Sequence, residues 1–112
     1  MVEKQIIKIL RKFREALGER GIQVTKIVLY GSRATGRFHK DSDIDVAVVS
    51  PDFGKDRFEE GVKLFEIAYQ VDPRIEPVPI SLESYEKDTW VPLIYEIREK
   101  GITLDLYEDT LQ

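Results

Sequence analysis

The chain contains 112 residues, of which 42% are hydrophobic and 34% are charged. We expect one soluble globular domain over residues 1–112, because this composition excludes a disordered chain and no apolar run reaches the ~20 residues that cross a bilayer. The absence of cysteine excludes disulfides and thiolate metal sites. It fits a reducing compartment, so we expect a cytoplasmic protein.

The net charge of −4 conceals an asymmetry along the chain. Residues 1–40 carry ten Lys or Arg and three Asp or Glu, whereas residues 41–112 carry seven and eighteen. One explanation is that these charges lie on solvated helix faces and have no functional role. The alternative is that the basic part faces an anionic ligand while the acidic part supplies metal ligands. Duplex nucleic acid is not favoured as a partner, because no basic stripe is interleaved with aromatic residues.

The first half of the chain predicts a helix followed by two strands. Four apolar residues near the start recur at helical spacing: Ile6, Leu10, Phe13 and Leu17. They predict an amphipathic helix over residues 3–18. Residues 24–30 are β-branched and apolar and predict a strand that stops at Gly31. After a loop, residues 43–49 predict a second strand.

The second half predicts two helices and two strands. A second stripe at helical spacing, formed by Phe58, Val62, Phe65 and Tyr69, predicts a helix over residues 56–71. Residues 74–80 predict an edge or irregular strand, since their two prolines lack the amide donor that a ladder needs. The segment 81–90 remains unassigned, a short helix opens at Pro92, and residues 102–107 predict the last strand. The expected fold is α/β or α+β, a small mixed sheet of about four strands with helices packed on it.

Two acidic residues begin the second strand. Because side chains alternate along a strand, Asp43 and Asp45 point to one face while Ile44 points to the other. Two carboxylates about 6 Å apart repel by roughly 3 kcal/mol at an effective dielectric constant near 20. A fold retains such a pair when a divalent cation lies between them, and oxygen ligands favour Mg²⁺ or Mn²⁺ over Zn²⁺.

The loop before this pair contains a candidate phosphate cradle. Gly31 lets the backbone approach a phosphate closely, Ser32 adds a hydroxyl, and a helical turn starting there would direct free amides at the anion. Arg33 and Arg37 are placed to add guanidinium charge. A phosphate cradle beside a carboxylate pair predicts phosphoryl-transfer chemistry, which requires positioning and charge neutralisation.

A third carboxylate would hold a second metal ion and help to deprotonate the attacking hydroxyl. Glu76 is the candidate, because it lies on the predicted strand over residues 74–80. The alternative interpretation is a partly exposed strand glutamate with no role in catalysis.

These residues carry a family resemblance. Residues 31–45, GSRATGRFHKDSDID, resemble the GS-x10-DxD signature of the DNA polymerase β-type nucleotidyltransferase superfamily, and the length and element order resemble its minimal nucleotidyltransferase branch. The resemblance implies a mixed sheet, triphosphate contacts from Gly31 and Ser32, and divalent metal bound by Asp43 and Asp45. It also implies that Glu76 takes the place of the third carboxylate, which is often aspartate in the superfamily.

The resemblance further implies a function and a partner. Members of the minimal branch are commonly encoded beside a helical HEPN-type protein and act as the antitoxin of a toxin–antitoxin pair. We therefore expect an enzyme that binds two Mg²⁺ ions and transfers AMP from ATP to an acceptor hydroxyl. The expected acceptor is that partner. The alternative is an inactive protein that binds metal or nucleotide and neutralises its partner by binding. The family's loop often has an arginine before its second glycine, where this chain has Thr35.

Two other loop motifs are excluded. A Walker-type loop requires Lys-Ser or Lys-Thr after its second glycine, whereas Arg37 and Phe38 follow Gly36. A calcium-binding loop requires a glycine where Val46 stands, so we expect Asp41 to be a turn residue rather than a ligand.

The remaining polar and aromatic residues have less specific expectations. We expect His39 to be an exposed loop residue rather than a catalytic base, and Ser42 to brace the turn before the strand. Tyr85, Trp90 and Tyr95 are expected to pack in the core, and a stacking or partner-binding surface is the alternative.

Overall fold

The computed structural model describes residues 2–106. Five helices and four strands follow one another along this range: α1 (Lys4–Glu19), β1 (Lys26–Tyr30), α2 (Ser32–Thr35), β2 (Ile44–Ser50), α3 (Arg57–Val71), β3 (Ile75–Ser81), α4 (Leu82–Lys87), α5 (Pro92–Lys100) and β4 (Ile102–Leu104). The predicted order of helices and strands is confirmed. The last strand is shorter than predicted, and the predicted end at position 107 lies outside the described residues.

The four strands form one mixed sheet in the order β3-β2-β1-β4. Strand β1 lies in the middle and pairs antiparallel with β2 and with β4. Strand β2 pairs parallel with β3, and the connection between them runs through α3, because parallel neighbours need a long crossover. The predicted fold class, a small mixed sheet with helices packed on it, is confirmed.

Helices α1 and α3 cover one face of the sheet. The predicted apolar stripe of α1 is buried there, and Leu10, Phe13 and Leu17 have no exposed surface. They pack with alternate strand residues such as Ile44 and Val46. Each large apolar side chain buried in this way contributes about 1.5–3 kcal/mol, so the layer of α1 and α3 holds the strands in place.

Helices α4 and α5 cover part of the other face. The smaller core on this side is formed by Val28, Ala47, Val49, Ile80, Tyr85, Ile94 and Ile97. Helix α4 occupies the segment that the sequence left unassigned, and it begins where the Ser81 hydroxyl accepts a hydrogen bond from the Ser84 amide at 3.1 Å. Along β2 the side chains on this face are Asp45, Ala47 and Val49. Helices α4 and α5 therefore cover Ala47 and Val49 completely and leave Asp45 only partly buried.

The apolar stripe that predicted α3 is not the face that packs on the sheet. Helix α3 buries Leu64, Ile67 and Ala68, whereas Phe58 and Tyr69 of the stripe are 76% and 71% exposed. The helix has two apolar faces, and periodicity alone does not distinguish which of them meets the core.

Among the other aromatic residues, packing is confirmed only for Tyr85, which is buried between the Lys26 ammonium and the Arg98 guanidinium. Trp90 is 80% exposed and Tyr95 is 53% exposed, so for these two the prediction of core packing is wrong. No helix within residues 2–106 combines the length and the apolar character that a membrane span requires.

Candidate active site

Three polar side chains lie in a row across three neighbouring strands. Tyr30 at the end of β1 pairs in register with Asp45 of β2, and Asp45 pairs with Glu76 of β3. Residues directly opposite one another share a face of the sheet. The parallel pairing of β2 and β3 thus brings two candidate carboxylates side by side, and Asp43, two residues before Asp45, belongs to the same face.

The glycine–serine turn lies against this row. Gly31 has φ +73° and ψ −150°, a backbone conformation that is essentially limited to glycine. A Cβ atom at this position would be 2.6 Å from the Asp45 Oδ2 atom. The glycine therefore allows the backbone of the turn to lie beside the Asp45 carboxylate, and Ser32 starts α2 directly after it.

The acidic groups near the turn destabilise one another's charged forms. Burial raises the pKa of Asp45, and the charges of Asp43 and Glu96 raise it further. Burial likewise raises the pKa of Glu76, followed by the charges of Asp43 and Asp45. Burial and the charges of Asp45, Glu96 and Glu76 raise the pKa of Tyr30 to about 12. Among residues 2–106, no cationic side chain lowers the pKa of any of these three groups.

This donor set fits a divalent cation. The side chains of Asp43, Asp45 and Glu76 offer only hard carboxylate oxygens, as Mg²⁺ and Mn²⁺ prefer, and the surrounding protein leaves their charge uncompensated. Within residues 2–106 no three acidic or histidine side chains already enclose a single point as a preformed metal site would. An ion bound by all three carboxylates would therefore have to draw them together.

Arg33 has a structural role that the sequence analysis did not anticipate. Its side chain is only 2% exposed and forms an ion pair with Glu3 at 3.1 Å. Its other donors reach main-chain carbonyls of the following loop, at His39, Lys40, Ser42 and Asp43, and its guanidinium stacks on the Phe38 ring. A phosphate contact from Arg33 stays a prediction, and these contacts argue against it because the loop and Glu3 take most of its hydrogen-bond donors.

Replacement of this arginine is expected to destabilise the fold. Arg33→Ala should lower the free energy of unfolding by about 2–3 kcal/mol, since several partly buried hydrogen bonds to loop carbonyls are lost. Arg37→Ala is the matched control, because Arg37 is exposed in the same loop and its removal should change stability by no more than about 0.5 kcal/mol. Urea unfolding followed by circular dichroism measures both, and equal effects would contradict the structural role.

The other predicted phosphate ligands remain accessible. Ser32 is partly exposed and Arg37 is exposed, so Arg37 is the guanidinium of this loop that is available to an anion. Thr35, at the position where the family often has an arginine, has its hydroxyl within hydrogen-bonding distance of the Ser32 carbonyl at 3.2 Å. The hydroxyl thus supports the short helix α2 and supplies no charge.

A second arginine fixes the loop to β3, and the sequence analysis missed it. Arg74 donates from Nη1 to the Lys40 carbonyl at 2.8 Å and pairs with Asp72 at 2.9 Å. Its own carbonyl accepts from the Ile44 amide at 2.8 Å. These bonds tie the start of β2 to the start of β3, two residues from Glu76. The signal in the sequence was an Asp-Pro-Arg turn between a helix and a strand. An aspartate in such a turn typically accepts a hydrogen bond from the amide two residues on, as Asp72 does from the Arg74 amide at 2.9 Å.

The charge pair should be visible in the pH dependence of stability. Hydrogen bonding from Arg74 lowers the pKa of Asp72 below its usual 3.8. A lowered pKa in the folded state means that the stabilisation is complete above the unfolded-state pKa and is lost as the pH falls through the folded-state value. Unfolding free energies of the wild type and Asp72→Asn, measured between about pH 6 and pH 2, should therefore converge at the acidic end. A constant difference would argue against this linkage.

The remaining loop residues behave as turn residues. The Ser42 hydroxyl accepts from the His39 amide at 3.0 Å, and the Ser42 amide donates to the His39 carbonyl at 2.9 Å. The prediction that Ser42 braces the turn is confirmed. His39 and Asp41 are exposed, as expected for a loop residue and a turn residue.

A cavity at the other end of β3 is separate from this site. Its volume is about 860 Å³, and its walls include Pro79, Ser81 and Leu82, at the end of β3, together with Phe53 and Trp90. Glu76 lies at the start of β3, five residues before Ser81, which corresponds to roughly 16 Å along a strand. The cavity therefore has no direct contact with the carboxylates, and its mixed charges do not indicate a ligand.

Comparison with known proteins agrees with this geometry. Residues 10–105 match the family model of the nucleotidyltransferase domain, and no curated protein matches the sequence. The fold is similar to a putative nucleotidyltransferase from Sulfolobus solfataricus, with a TM-score of 0.65 and 13% identity, covering 94% of this chain and 84% of that one.

Two further solved structures are similar to the chain. One is a toxin–antitoxin crystallised with AMP-PNP, with a TM-score of 0.55, 26% identity, and coverage of 86% of this chain and 70% of that one. The other is a mutant of the toxin–antitoxin MntA-HpeT, with a TM-score of 0.54, 24% identity, and coverage of 89% and 77%. The family model matches nearly the whole chain, including the glycine–serine turn and the carboxylates beside it. The chain therefore belongs to the nucleotidyltransferase domain family and is a nucleotidyl-transfer enzyme.

Proposed function

We propose that the chain transfers AMP from ATP to an acceptor hydroxyl in a reaction that depends on a divalent metal ion and releases pyrophosphate. The observation that carries the proposal is the juxtaposition of Gly31 with the Asp45 carboxylate, which itself pairs in register with Glu76. A triphosphate held at the turn would have its α-phosphorus next to the carboxylates, where an acceptor hydroxyl attacks in line with the leaving pyrophosphate.

Each residue of the site has a proposed role. Asp43 and Asp45 hold the metal ions, and Glu76 completes the second metal site and orients the acceptor hydroxyl. Gly31 and Ser32 contact the β- and γ-phosphates through the backbone and the hydroxyl, while Arg37 balances charge from the loop. Bound Mg²⁺, or Mn²⁺ in its place, would neutralise the charge that develops on the phosphoryl oxygens and the leaving group.

We further propose that the acceptor lies on a helical toxin of the HEPN type and that the chain is the antitoxin of the pair. The similarity to a toxin–antitoxin crystallised with AMP-PNP, at 26% identity, supports both ATP as donor and a protein partner. A hydroxyl-bearing side chain of the partner, such as tyrosine, meets the chemical requirement for an acceptor. Its modification would change the charge of the partner's surface and thus its activity.

The test is a transfer assay with and without the partner. The chain is incubated with Mg²⁺ and each α-labelled nucleoside triphosphate, alone and together with the product of the neighbouring reading frame. We expect label from ATP to appear on the partner, confirmed by mass spectrometry as an added AMP group. Asp43→Asn should lose transfer and Glu99→Gln, on the exposed surface of α5, should keep it.

The outcome also separates the enzyme from the binding protein. If the wild type forms a stable complex but transfers no label from any triphosphate, and if Asp43→Asn neutralises the partner as well as the wild type does, the chain acts by binding alone. Metal-dependent appearance of the α-label on a product other than the partner, with release of unlabelled pyrophosphate, would support transfer to a different acceptor.

A further inference from the structure

Helix α3 presents an uncovered apolar surface, which we call the α3 stripe. It consists of Phe58, Val62, Phe65 and Tyr69, which are 76%, 38%, 48% and 71% exposed. Four of the six large apolar side chains that are exposed within residues 2–106 lie on this one helix. Single exposed apolar residues need no explanation, but a continuous row of this kind marks an interaction surface.

The size and spacing of the α3 stripe fit contact with another helix. Steps of four, three and four residues are those of a coiled-coil seam. Three aromatic side chains of about 150–250 Å² each, exposed to this extent, leave on the order of 400 Å² of apolar surface uncovered. A standard interface buries about 800 Å² on each partner. The stripe is therefore large enough to be the apolar centre of an interface, with polar neighbours forming its rim.

The residues beside the stripe differ on its two sides. Glu59 and Glu66 follow Phe58 and Phe65 along one flank, where both are exposed. Gly61 lies on the other flank, where an added Cβ would meet nothing within 4 Å, so a partner backbone has room to approach there. The flank of Glu59 and Glu66 also carries the exposed Lys63 farther from the stripe. Its net charge is negative, which imposes a charge requirement on the partner.

A second copy of the chain does not satisfy this charge requirement. In antiparallel pairing Phe58 would meet the second copy's Tyr69, and Val62 its Phe65. The same arrangement would bring Glu59 of one copy near Glu66 of the other, and like charges at these flanking positions oppose association. Parallel pairing would leave the glutamates without partners. A helix with Lys or Arg beside its apolar face meets both the stripe and the acidic flank.

We propose that the α3 stripe docks an amphipathic helix of the protein partner, with basic residues of that helix facing Glu59 and Glu66. The inference rests on the proposed function only for the existence of a partner. Tyr69 lies seven residues before Glu76, and α3 leads through a short turn into β3. The α3 stripe lies across the sheet from the carboxylates, and the end of α3 leads to the start of β3, the edge strand that carries Glu76. A partner docked along α3 would therefore reach the active site around this edge.

The test compares exposed apolar residues inside and outside the stripe. Affinity for the purified product of the neighbouring reading frame is measured by calorimetry for the wild type, for the double variant Phe58→Glu with Phe65→Glu, and for Trp90→Glu. Trp90 is 80% exposed and lies outside the stripe. We expect the double variant to bind at least about 100-fold more weakly, as for central interface residues, and Trp90→Glu to bind as the wild type does.

Charge reversal tests the proposed chemistry of the partner. Glu59→Lys combined with Glu66→Lys should weaken binding about 10-fold, and more strongly at low salt. Thermal unfolding of each variant establishes that it is folded, as expected for exposed positions. Unchanged affinity of the stripe variant, equal loss with Trp90→Glu, no binding by the wild type, or a dimer of the free chain that Phe65→Glu dissociates would each overturn the proposal.

Failure of this inference is distinct from failure of the proposed function. Asp45→Asn should bind the partner with wild-type affinity but transfer no AMP. The stripe variant should keep Mg²⁺-dependent binding of ATP and lose only transfer to the partner. If the stripe variant binds the partner normally while Asp45→Asn abolishes transfer, the docking proposal fails and the proposed activity stands.

Discussion

Asp45→Asn should abolish nucleotidyl transfer and at the same time stabilise the free protein. The carboxylate lies beside Gly31, next to Glu76, and its pKa is raised by burial and by Asp43 and Glu96. Loss of a metal ligand at a phosphoryl-transfer centre should lower the rate by about 10³-fold or more. Opposite changes in activity and stability distinguish a functional carboxylate from a structural one.

The gain in stability follows from the removal of repulsion. Two carboxylates about 6 Å apart repel by roughly 3 kcal/mol at an effective dielectric constant near 20. Asp45 is partly buried and Glu76 is exposed. Solvent screening reduces this value, so we expect Asp45→Asn to raise the unfolding free energy by about 1 kcal/mol. The neutral amide has the same size as the carboxylate, which limits any packing change.

Thermal unfolding with and without Mg²⁺ measures this prediction. Mg²⁺ should raise the melting temperature of the wild type, because a ligand that binds only the folded state stabilises it, and should raise that of Asp45→Asn much less. Asp41→Asn is the matched control, because Asp41 is an exposed aspartate of the same loop and should keep both transfer and the response to Mg²⁺. A less stable Asp45→Asn protein with normal transfer would contradict the proposed role of Asp45 as a metal ligand.

The order of elements was readable from the sequence because it depends on local patterns. The stripe of α1 and the β-branched run of β1 are local, and both appear where predicted. The register of the sheet depends instead on pairing between residues that are distant in the sequence. The alternation along β2 placed Asp43 and Asp45 on one face, but only the parallel pairing with β3 puts Glu76 beside Asp45. The choice of Glu76 therefore relied on its place in the predicted strand over residues 74–80 and on the family resemblance, and not on a predicted pairing.

Residues whose role depends on tertiary contacts were less predictable. Arg33 lies one residue after the glycine–serine turn, and its position indicated a phosphate ligand. In the structure Arg33 instead donates hydrogen bonds to main-chain carbonyls of a loop that has no regular secondary structure of its own. A loop of this kind must satisfy its buried backbone groups, and a sequence does not show which cation does so. The outer face of α3 was likewise not predictable, because its apolar residues are exposed and do not pack in the core.

Gly31→Ala should remove transfer more completely than its effect on stability explains. A methyl group at this position would lie 2.6 Å from the Asp45 Oδ2 atom, so the carboxylate must rotate away from the turn. The positive φ of +73° adds a backbone cost of about 1–3 kcal/mol for a residue with a Cβ atom. The protein should still fold, because the contacted atom is the end of a side chain, but the metal ligand and the phosphate turn would no longer adjoin.

Gly21→Ala separates the two contributions. Gly21 also has a positive φ, +81°, but a Cβ atom there would meet nothing within 4 Å, and it lies in the turn after α1, away from the carboxylates. We expect Gly21→Ala to cost about 1 kcal/mol of stability and to retain wild-type transfer at a temperature where both variants are folded. If Gly31→Ala also retains transfer there, the contact between the turn and Asp45 has no catalytic importance. If it loses transfer and the thermal response to Mg²⁺ together, the close approach that only glycine permits is what joins nucleotide binding to metal binding in this fold.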